Sequence, residues 1–479
     1  MDHTDDTIAA RAVTAERRRR IRGWIMFDWA SQPFYTLCLT FIFGPYFAAT
    51  LAEAWAVSLG EEAADARAQT VWSWTQTGIG VSIALMAPLL GAFADRSGRK
   101  LRWIAAFSVL YAIGTAGLWT MVPDGSGLWL AILAFGLAMV GAEFTTVFTN
   151  AMLPSLAPRA EIGRIGGSAY ALGYAGGVLA LIVMLALFAD NPDGRTLLGG
   201  APAFGLDGAA REGTRFVGPF SALWFVVFMI PFFLWVKDPA PASAGRATLT
   251  DAWADLKAML AGLTGRRSLL AFLGGSMLYR DALVALYAFG GTYAALVLDW
   301  ETTQVGVFGI IGAITAAVTS WVGGKLDGRH GPKPVITGAA LVLTGVVIVL
   351  CGMTVETLFG LPLFERVPLS GLAAFVLGPR IGGADVIFYV LGAIIGGMGG
   401  VLQSASRTLM VRHADPARST EAFGLYALSG KATAFLAPLS IGIATWATGS
   451  ARLGIFPVAL LFLLGLFLLR WVDPEGDRR

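Results

Sequence analysis

The sequence predicts an all-α membrane protein of twelve transmembrane helices, arranged as two pseudo-symmetric six-helix halves. The chain has 479 residues, of which 56% are hydrophobic and only 14% charged, and its mean hydropathy is +0.67. This composition excludes an ordinary water-soluble globule. Twelve apolar stretches each approach the length of about 20 residues that a helix needs to cross the hydrocarbon core.

A repeated basic loop predicts the two halves. The segment Gly91–Lys100 reads GAFADRSGRK, and a fainter copy, Gly324–Lys333, reads GKLDGRHGPK. Each copy follows the second apolar stretch of its half and precedes the third. Internal repetition of this kind is typical of transporters.

The predicted spans define five segments of the chain. These are a basic tail (1–23), a first six-helix half (24–236), a linker (237–267), a second six-helix half (268–472) and a short tail (473–479). The spans, numbered 1 to 12, lie near 24–50, 71–94, 102–122, 128–153, 165–189, 218–236, 268–298, 304–324, 334–354, 386–411, 422–446 and 453–471.

The linker contains a periodic apolar pattern after a flexible Pro- and Ala-rich start. Its apolar residues recur at steps of four and three, which predicts an amphipathic helix along the inner membrane surface. The residues that form this pattern are Leu249, Trp253, Leu256, Leu260 and Leu263. The two long outward loops, 190–217 and 355–385, receive no predicted function.

The placement of basic residues predicts the orientation. Most of the 35 lysines and arginines fall in the tails and loops on the amino-terminal side, so both termini are expected in the cytoplasm. The run Arg17–Arg20 precedes the first span, where we expect it to contact lipid headgroups and no nucleic acid. We expect a monomer in the cell membrane.

The sequence predicts no cofactor and no metal site. Cys38 and Cys351 both fall in predicted spans, which supports neither a disulfide framework nor a thiolate site. The histidines fall outside the predicted spans, which argues against an intramembrane histidine relay. No Gly-rich loop of the Walker type is present, so we expect an ion or solute gradient to supply the energy.

Polar side chains follow one face of every third predicted span. Ionisable groups are costly in hydrocarbon and usually face protein or a water-filled cavity, so these four stripes predict one shared cavity. The stripe residues are Asp28, Ser31, Gln32 and Tyr35 on span 1; Glu143, Thr146 and Asn150 on span 4; Ser276, Arg280 and Tyr287, with Asp281 on another face, on span 7; and Gln403, Ser406 and Arg407 on span 10.

Each charged residue has an alternative to solute binding. Asp28 and Arg407 lie near the cytoplasmic ends of their spans, where a charge can cap a helix, gate the pathway or reach the headgroups. Glu143, Arg280 and Asp281 lie deeper, and there transport function competes with structural pairing. Lys431 on span 11 is the exception to the pattern, and we expect it to pair with Glu143 or Asp281.

The loop Gly91–Lys100 resembles the signature between helices 2 and 3 of the major facilitator superfamily. More narrowly, Phe27–Phe34, which reads FDWASQPF, resembles the opening of the vacuolar amino-acid effluxer family and its bacterial relatives. Three further segments resemble that family: Asn150–Pro154, Gly163–Tyr174, and Gln403–Arg407 followed by Glu421–Gly424. Ser31 departs from the Asn usual in the family, and Asp281–Ala282 departs from its frequent Asp-Gly.

The resemblance implies alternating access, in which a cytoplasmic gate closes one side of the membrane. It implies that Asp95 and Arg99 hold that gate closed, and helix-dipole physics offers Asp95 the amino end of span 11 as its partner. The predicted gate residues are Gly91, Asp95, Arg96, Gly98, Arg99, Lys100, Asp327 and Arg329.

The predicted cavity combines three acidic with three basic groups, a balance that suits a zwitterion and fits mutual pairing as well. We therefore expect a secondary transporter of a small polar organic solute such as an amino acid. If protons drive it, Glu143 or Asp281 must carry them. The alternatives are a non-transporting membrane sensor and a membrane-embedded transferase, for which the loops offer little catalytic chemistry.

Overall fold

The structure is a computed structural model, and it describes residues 2–191, 194–238, 249–298, 300, 302–433 and 435–477. It contains two compact units. The first comprises Met1–Ala157, Leu172–Trp253 and Pro416–Gly424, and the second comprises Pro158–Ala171, Ala254–Asp415 and Leu425–Arg479. The unit boundaries cut through three helices, so the five segments predicted from sequence remain a prediction of domain organisation. Linker residues 239–248 lie outside the described residues.

The amino-terminal part of the chain is almost entirely helical. Its α-helices are α1 (Asp2–Pro33), α2 (Phe43–Leu59), α3 (Glu61–Ser97), α4 (Lys100–Gly117), α5 (Leu128–Met152), α6 (Arg159–Leu187), α7 (Glu212–Arg215) and α8 (Val217–Trp235). A π-helix joins α1 to α2 at Phe34–Phe41, and short 3-10 turns occupy Leu118–Thr120, Leu153–Ser155 and Ala203–Gly205.

The carboxy-terminal part adds ten helices and four very short strands. The helices are α9 (Leu249–Gly262), α10 (Arg267–Leu298), α11 (Thr302–His330), α12 (Pro332–Gly352), α13 (Gly371–Leu377), α14 (Gly383–His413), α15 (Ser419–Ala432), α16 (Leu436–Thr448), α17 (Ala451–Gly454) and α18 (Phe456–Leu469). The 3-10 turns are Leu263–Gly265 and Pro416–Arg418. Strands β1 (Thr357–Leu358) and β2 (Leu361–Pro362) pair antiparallel, as do β3 (Val367–Pro368) and β4 (Arg380–Ile381).

Within the described residues, eleven helices are long and apolar enough to cross a membrane. The remaining predicted span, span 11, is divided between α15 and the shorter apolar helix α16. The prediction of a twelve-helix membrane protein therefore holds for the architecture, with one span interrupted. Helices α11 and α14 each run to a histidine, His330 and His413, so the span boundaries predicted at 324 and 411 are too short.

Proline accounts for both irregular spans. Pro33 is the last residue of α1, and the chain continues from it as the π-helix Phe34–Phe41. Pro438 lies in the first turn of α16, where a helix tolerates it. In an uninterrupted span 11 its ring would collide with the carbonyl four residues earlier, so the helix stops after Ala432 and restarts at Leu436. Both prolines are present in the sequence, but the apolar pattern alone predicts uninterrupted spans at these positions.

Small residues allow the closest helix contacts in each unit. In the first unit α4 packs on α5, where Gly114 and Gly141 meet the opposing backbone directly. In the second unit α11 packs on α14, where Gly396 meets Gly312 backbone to backbone. The four-residue glycine spacing in α14 therefore marks a tight crossing, as expected where helices associate in lipid by van der Waals packing.

A buried carboxylate fixes the second outward loop. Asp385, which is 1% exposed, accepts hydrogen bonds from Trp300 Nε1 at 2.7 Å, from Arg366 Nε at 3.0 Å and from the Gly382 amide at 2.7 Å. Arg366 also donates to the Leu298 carbonyl. The loop that sequence left unassigned is thus tied to the ends of α10 and α14.

Replacing Asp385 should destabilise the second unit strongly. Asp385→Ala leaves the Arg366 guanidinium and the Trp300 N–H without their acceptor, and breaking a buried pair in this way costs about 3–5 kcal/mol. We expect a lower midpoint of thermal unfolding in detergent than for Glu365→Ala, which removes an exposed carboxylate from the same loop. Equal midpoints for the two variants would contradict this assignment.

Candidate functional site

The first basic loop places Asp95 against the amino end of α15. Asp95 Oδ1 accepts from the Thr420 amide at 3.1 Å and its hydroxyl at 2.6 Å, and Oδ2 accepts from the Glu421 amide at 2.8 Å. These amides belong to the first turn of α15, which has no partners for them within the helix. A carboxylate there is also favoured by the helix dipole.

Lysine rather than arginine is the cation beside Asp95. Lys100 Nζ lies 3.3 Å from Asp95 Oδ1, and both side chains are less than one-tenth exposed. Lys100 also donates to Ser419 Oγ at 2.6 Å and to the Ala151 carbonyl at 3.3 Å, so it joins α4, α5 and α15. Arg99, which the family resemblance implies as a gate residue together with Asp95, is exposed.

The remaining residues of the loop shape this contact or face solvent. A Cβ on Gly91 would lie 2.6 Å from the Thr420 carbonyl, so only glycine lets α3 approach α15 this closely. Gly98 adopts φ of 63° and ends α3 in the left-handed conformation that glycine accepts without strain. Arg96 is exposed and lies 3.7 Å from Asp251.

The second basic loop places Asp327 against α6. The Asp327 side chain is buried, 1% exposed, and a Cβ on Gly163 would lie 2.6 Å from its carboxyl carbon. Thr408 and Arg412 of α14 are its polar neighbours. Arg329, by contrast, is exposed. Both loops therefore carry a buried aspartate at a helix crossing, although only Asp95 accepts from helix-terminal amides.

Arg407 brings two of the family-like segments together. Its guanidinium donates to the Gly166 carbonyl at 2.8 Å and lies 4.2 Å over the Tyr170 ring, and the residue is 3% exposed. Gly163–Tyr174 and Gln403–Arg407 thus meet where α6 begins and α14 ends. Of the alternatives open for Arg407, this geometry favours a structural or gating contact over solute binding.

The polar stripes of α10 and α14 also meet within the second unit. Tyr279 and Ser406 hydrogen-bond through their hydroxyls at 2.8 Å, and Ser406, fully buried, donates to the Leu402 carbonyl at 2.7 Å. The Tyr287 hydroxyl packs against Gly399, while its ring remains 39% exposed. Gln403 is half-buried. Tyr279 was missed by the sequence analysis because it lies one position outside the expected stripe.

Arg280 and Asp281 contact the two ends of the broken span 11. Arg280 donates to the Tyr426 carbonyl at 3.1 Å and stacks 4.2 Å over its ring, beside Gly430 near the end of α15. Asp281, 6% exposed, accepts from the Ala437 amide at 3.2 Å in the first turn of α16. The cation therefore lies beside the carboxyl-terminal half of α15 and the anion at the positive amino end of α16.

The polar stripes of α1 and α5 belong to the first unit. Ser31 is 6% exposed, while the other six stripe residues are half-buried: Asp28, Gln32, Tyr35, Glu143, Thr146 and Asn150. The polar side of α1 packs against glycines of α6, since Gly173 abuts Asp28 and Gly177 abuts Gln32. A cavity shared by all four stripes remains a prediction. The side chain of Lys431 lies outside the described residues.

The acidic carboxy-terminal segment forms a cluster that sequence reasoning missed. Asp477 accepts from the Ser268 and Leu269 amides at the start of α10, at 2.8 and 3.1 Å. Glu475 pairs with Arg412 at 2.7 Å and lies 3.8 Å from Arg159 at the start of α6. One short segment thereby joins the ends of three helices, α6, α10 and α14. In the described part of the chain no group of three or more metal-ligating side chains forms a metal site.

The Asp95 contact predicts how a charge-removing variant behaves. Asp95→Asn keeps the shape of the side chain but removes the charge that favours the helix end and balances Lys100. Charge–dipole contacts of this type are worth about 0.3–2 kcal/mol, so the Thr420 and Glu421 amides should exchange with deuterium several-fold faster.

The matched control for that experiment is Asp251→Asn, which removes the exposed partner of Arg96. It should leave exchange in the first turn of α15 unchanged. Unchanged exchange in Asp95→Asn, together with unchanged transport at full surface expression, would exclude the proposed latch.

A model of the family described as "Vacuole effluxer Atg22 like" matches residues 159–479. Among curated relatives, the uncharacterized MFS-type transporter YxiO of Bacillus subtilis (strain 168) is 22% identical over 457 residues, covering 95% of this chain and 94% of that protein. Autophagy-related protein 22 of Coccidioides immitis (strain RS) is 27% identical over 275 residues, which is 54% of this chain and 42% of the relative. The chain thus spans less than half of the length of this fungal relative.

Solved structures show the same fold at low identity. The proton:xylose symporter XylE superimposes with a TM-score of 0.64 at 12% identity, covering 97% of this chain and 98% of its own. The human organic anion transporter MFSD10 (TETRAN) superimposes with a TM-score of 0.62 at 15% identity, covering 95% of this chain and 99% of that one. The predicted major facilitator fold is therefore confirmed.

Proposed function

Since this chain belongs to the "Vacuole effluxer Atg22 like" family of membrane transporters, we propose that it moves a small polar organic solute across the cell membrane by alternating access, as a secondary active transporter. The observation that carries the proposal is the Asp95 contact with α15. It ties the first basic loop to span 11 through one carboxylate and two backbone amides. Such a contact can open and close reversibly, because neither partner needs to refold.

We propose an amino acid or a similar zwitterion as the solute. The support is the presence of half-buried acidic groups on α1 and α5 and of Arg280 and Asp281 on α10. The description of the family as vacuole effluxers suggests export from the cytoplasm, and the basic tail and loops suggest that both termini lie there.

The broken span 11 supports Asp281 as the proton carrier. Discontinuous membrane helices often line coupling sites in secondary transporters, because the ends of half-helices present unpaired backbone groups. Asp281 is buried and accepts from only one described amide, that of Ala437. Protonating it removes the charge that favours the amino end of α16, so proton binding would loosen α16 from α10. Glu143 is the second candidate carrier.

Counterflow in proteoliposomes tests the proposed function directly. Purified protein should exchange internal solute for external labelled solute in a panel of zwitterionic, cationic and anionic amino acids and neutral sugars. We expect zwitterions to exchange fastest. If no member of the panel moves, the membrane sensor is favoured, and chemical conversion of a panel member would favour the transferase.

Proton coupling is tested by separating accumulation from exchange. Asp281→Asn should reduce accumulation of the solute driven by a pH gradient at least tenfold. It should retain counterflow, since the amide oxygen of the asparagine still accepts from the Ala437 amide. Asp124→Asn, in an outer loop, serves as the control and should retain both activities. Transport that does not depend on pH in the wild type and in Glu143→Gln would rule out both carriers.

A further inference from the structure

An apolar groove lies between α4 and α8 of the first unit, apart from every polar stripe. Its volume is about 510 Å³, and almost all of its wall is hydrocarbon. The α4 wall combines the small side chains of Ala105, Ser108 and Ala112 with Val109 and Ile113, and most of the α8 wall is made of large side chains. Central lining residues are Ala105, Ser108, Ala112, Phe225, Met229 and Phe233.

The periodicity of α4 explains the groove. Ala105, Ser108 and Ala112 recur at steps of three and four, so one face of this helix lacks bulk over about 10 Å of its length. The bulky side chains of α8 do not reach across to this face of α4, so the space between the two helices stays open. The result is a trough that a flexible chain of methylene groups fits.

The groove opens to hydrocarbon. Both of its helices belong to membrane-spanning segments, Lys100–Thr120 and Glu212–Trp235. Its rim residues on the two helices, including Ile113 and Ile230, are more than half exposed. At this depth the surrounding medium is lipid acyl chain rather than water, so the occupant comes from the bilayer.

A cation lies in line with one end of the groove. Arg102 is three residues before Ala105, on the same face of α4, and it is exposed. Lys237, three residues after Leu234 at the matching end of α8, pairs with Glu16 at 2.8 Å. Asp238, also at this end, accepts from the Leu101 amide at 2.9 Å and interacts electrostatically with Arg102. Arg102 is the exposed cation in line with the groove, and an anionic group above the groove would share it with Asp238.

Ser108 is the one polar side chain in the wall. Its hydroxyl is buried and has no hydrogen-bond partner among the described residues. The hydroxyl of a serine in a helix can rotate and donate to the backbone carbonyl four residues earlier. The Ser108 hydroxyl therefore has an acceptor even when the occupant of the groove is aliphatic. A polar, drug-like occupant would instead depend on the hydroxyl, and this difference separates the two ligand classes by experiment.

We propose that the α4–α8 groove binds one acyl chain of an anionic phospholipid, with the lipid phosphate at Arg102. The chain fills the trough over Ala105 and Ala112, and the headgroup lies at the membrane surface where α4 begins. This site is independent of the solute pathway and of the coupling residues.

Photo-crosslinking tests the site. The full-length protein is reconstituted in phosphatidylcholine vesicles that contain phosphatidylglycerol carrying a diazirine on its acyl chain, and labelled residues are located by mass spectrometry. We expect labelling concentrated on the groove walls, with weaker labelling of the exposed face of α18, which includes Leu460 and Leu464. The same diazirine chain on phosphatidylcholine should label the groove about fivefold less.

Three variants give the proposal its controls. Ala112→Phe fills the trough and should reduce groove labelling about fivefold without changing that of α18, a difference of about 1 kcal/mol. Arg102→Gln alters only an exposed side chain, so it cannot fail by misfolding, and it should abolish the preference for phosphatidylglycerol. Ser108→Ala should change nothing.

Two results would overturn the proposal. In the first, the groove and α18 are labelled equally, and neither Ala112→Phe nor Arg102→Gln changes the labelling. This result would show that the groove makes only the non-specific lipid contacts of any membrane-exposed helix surface. Loss of labelling in Ser108→Ala would show that the groove recognises a polar ligand through its hydroxyl instead of an acyl chain.

Discussion

Carboxylates of this protein repeatedly accept hydrogen bonds from backbone amides at helix amino termini. The first turn of a helix has amides without partners inside the helix, and the helix dipole favours an anion there. The same arrangement recurs along the chain. The pairs are Asp238 with α4, Asp477 with α10, Asp385 with α14, Asp95 with α15 and Asp281 with α16.

The free energies of these contacts divide them into strong contacts, which fix the structure, and weak ones, which can be broken. Asp385 combines an amide with the Arg366 guanidinium and the Trp300 N–H, and breaking such a buried pair costs about 3–5 kcal/mol. Asp281 has one described amide partner, and charge–dipole contacts are worth about 0.3–2 kcal/mol. The first type fixes a loop permanently. The second is weak enough for water or a proton to replace it, as the proposed coupling role of Asp281 requires.

Sequence reasoning succeeded where the signal is additive along a helix. Hydropathy over long windows placed the spans. The helix-dipole argument pointed Asp95 to the amino end of span 11, where the Glu421 amide donates to it. Sequence reasoning failed where one residue overrides a window, as Pro438 does in span 11. Motif spacing also does not tell which of two neighbouring cations, Arg99 or Lys100, turns toward Asp95. Lys100 turns inward since it begins α4 and reaches Ser419 and Ala151.

The interrupted span 11 shows why neighbouring charges on one helix need not cancel. Arg280 and Asp281 point about 100° apart on α10, so each meets a different part of the helix opposite. An uninterrupted span 11 would present no helix ends there, and both charges would require side-chain partners. The break at Pro438 supplies a partial positive charge at Ala437 for Asp281, while Arg280 donates to the Tyr426 carbonyl beside Gly430 in α15. Because the two contacts lie on different helices, we expect neutralisation of Asp281 to weaken only its contact with α16 and to leave the Arg280 contact in place.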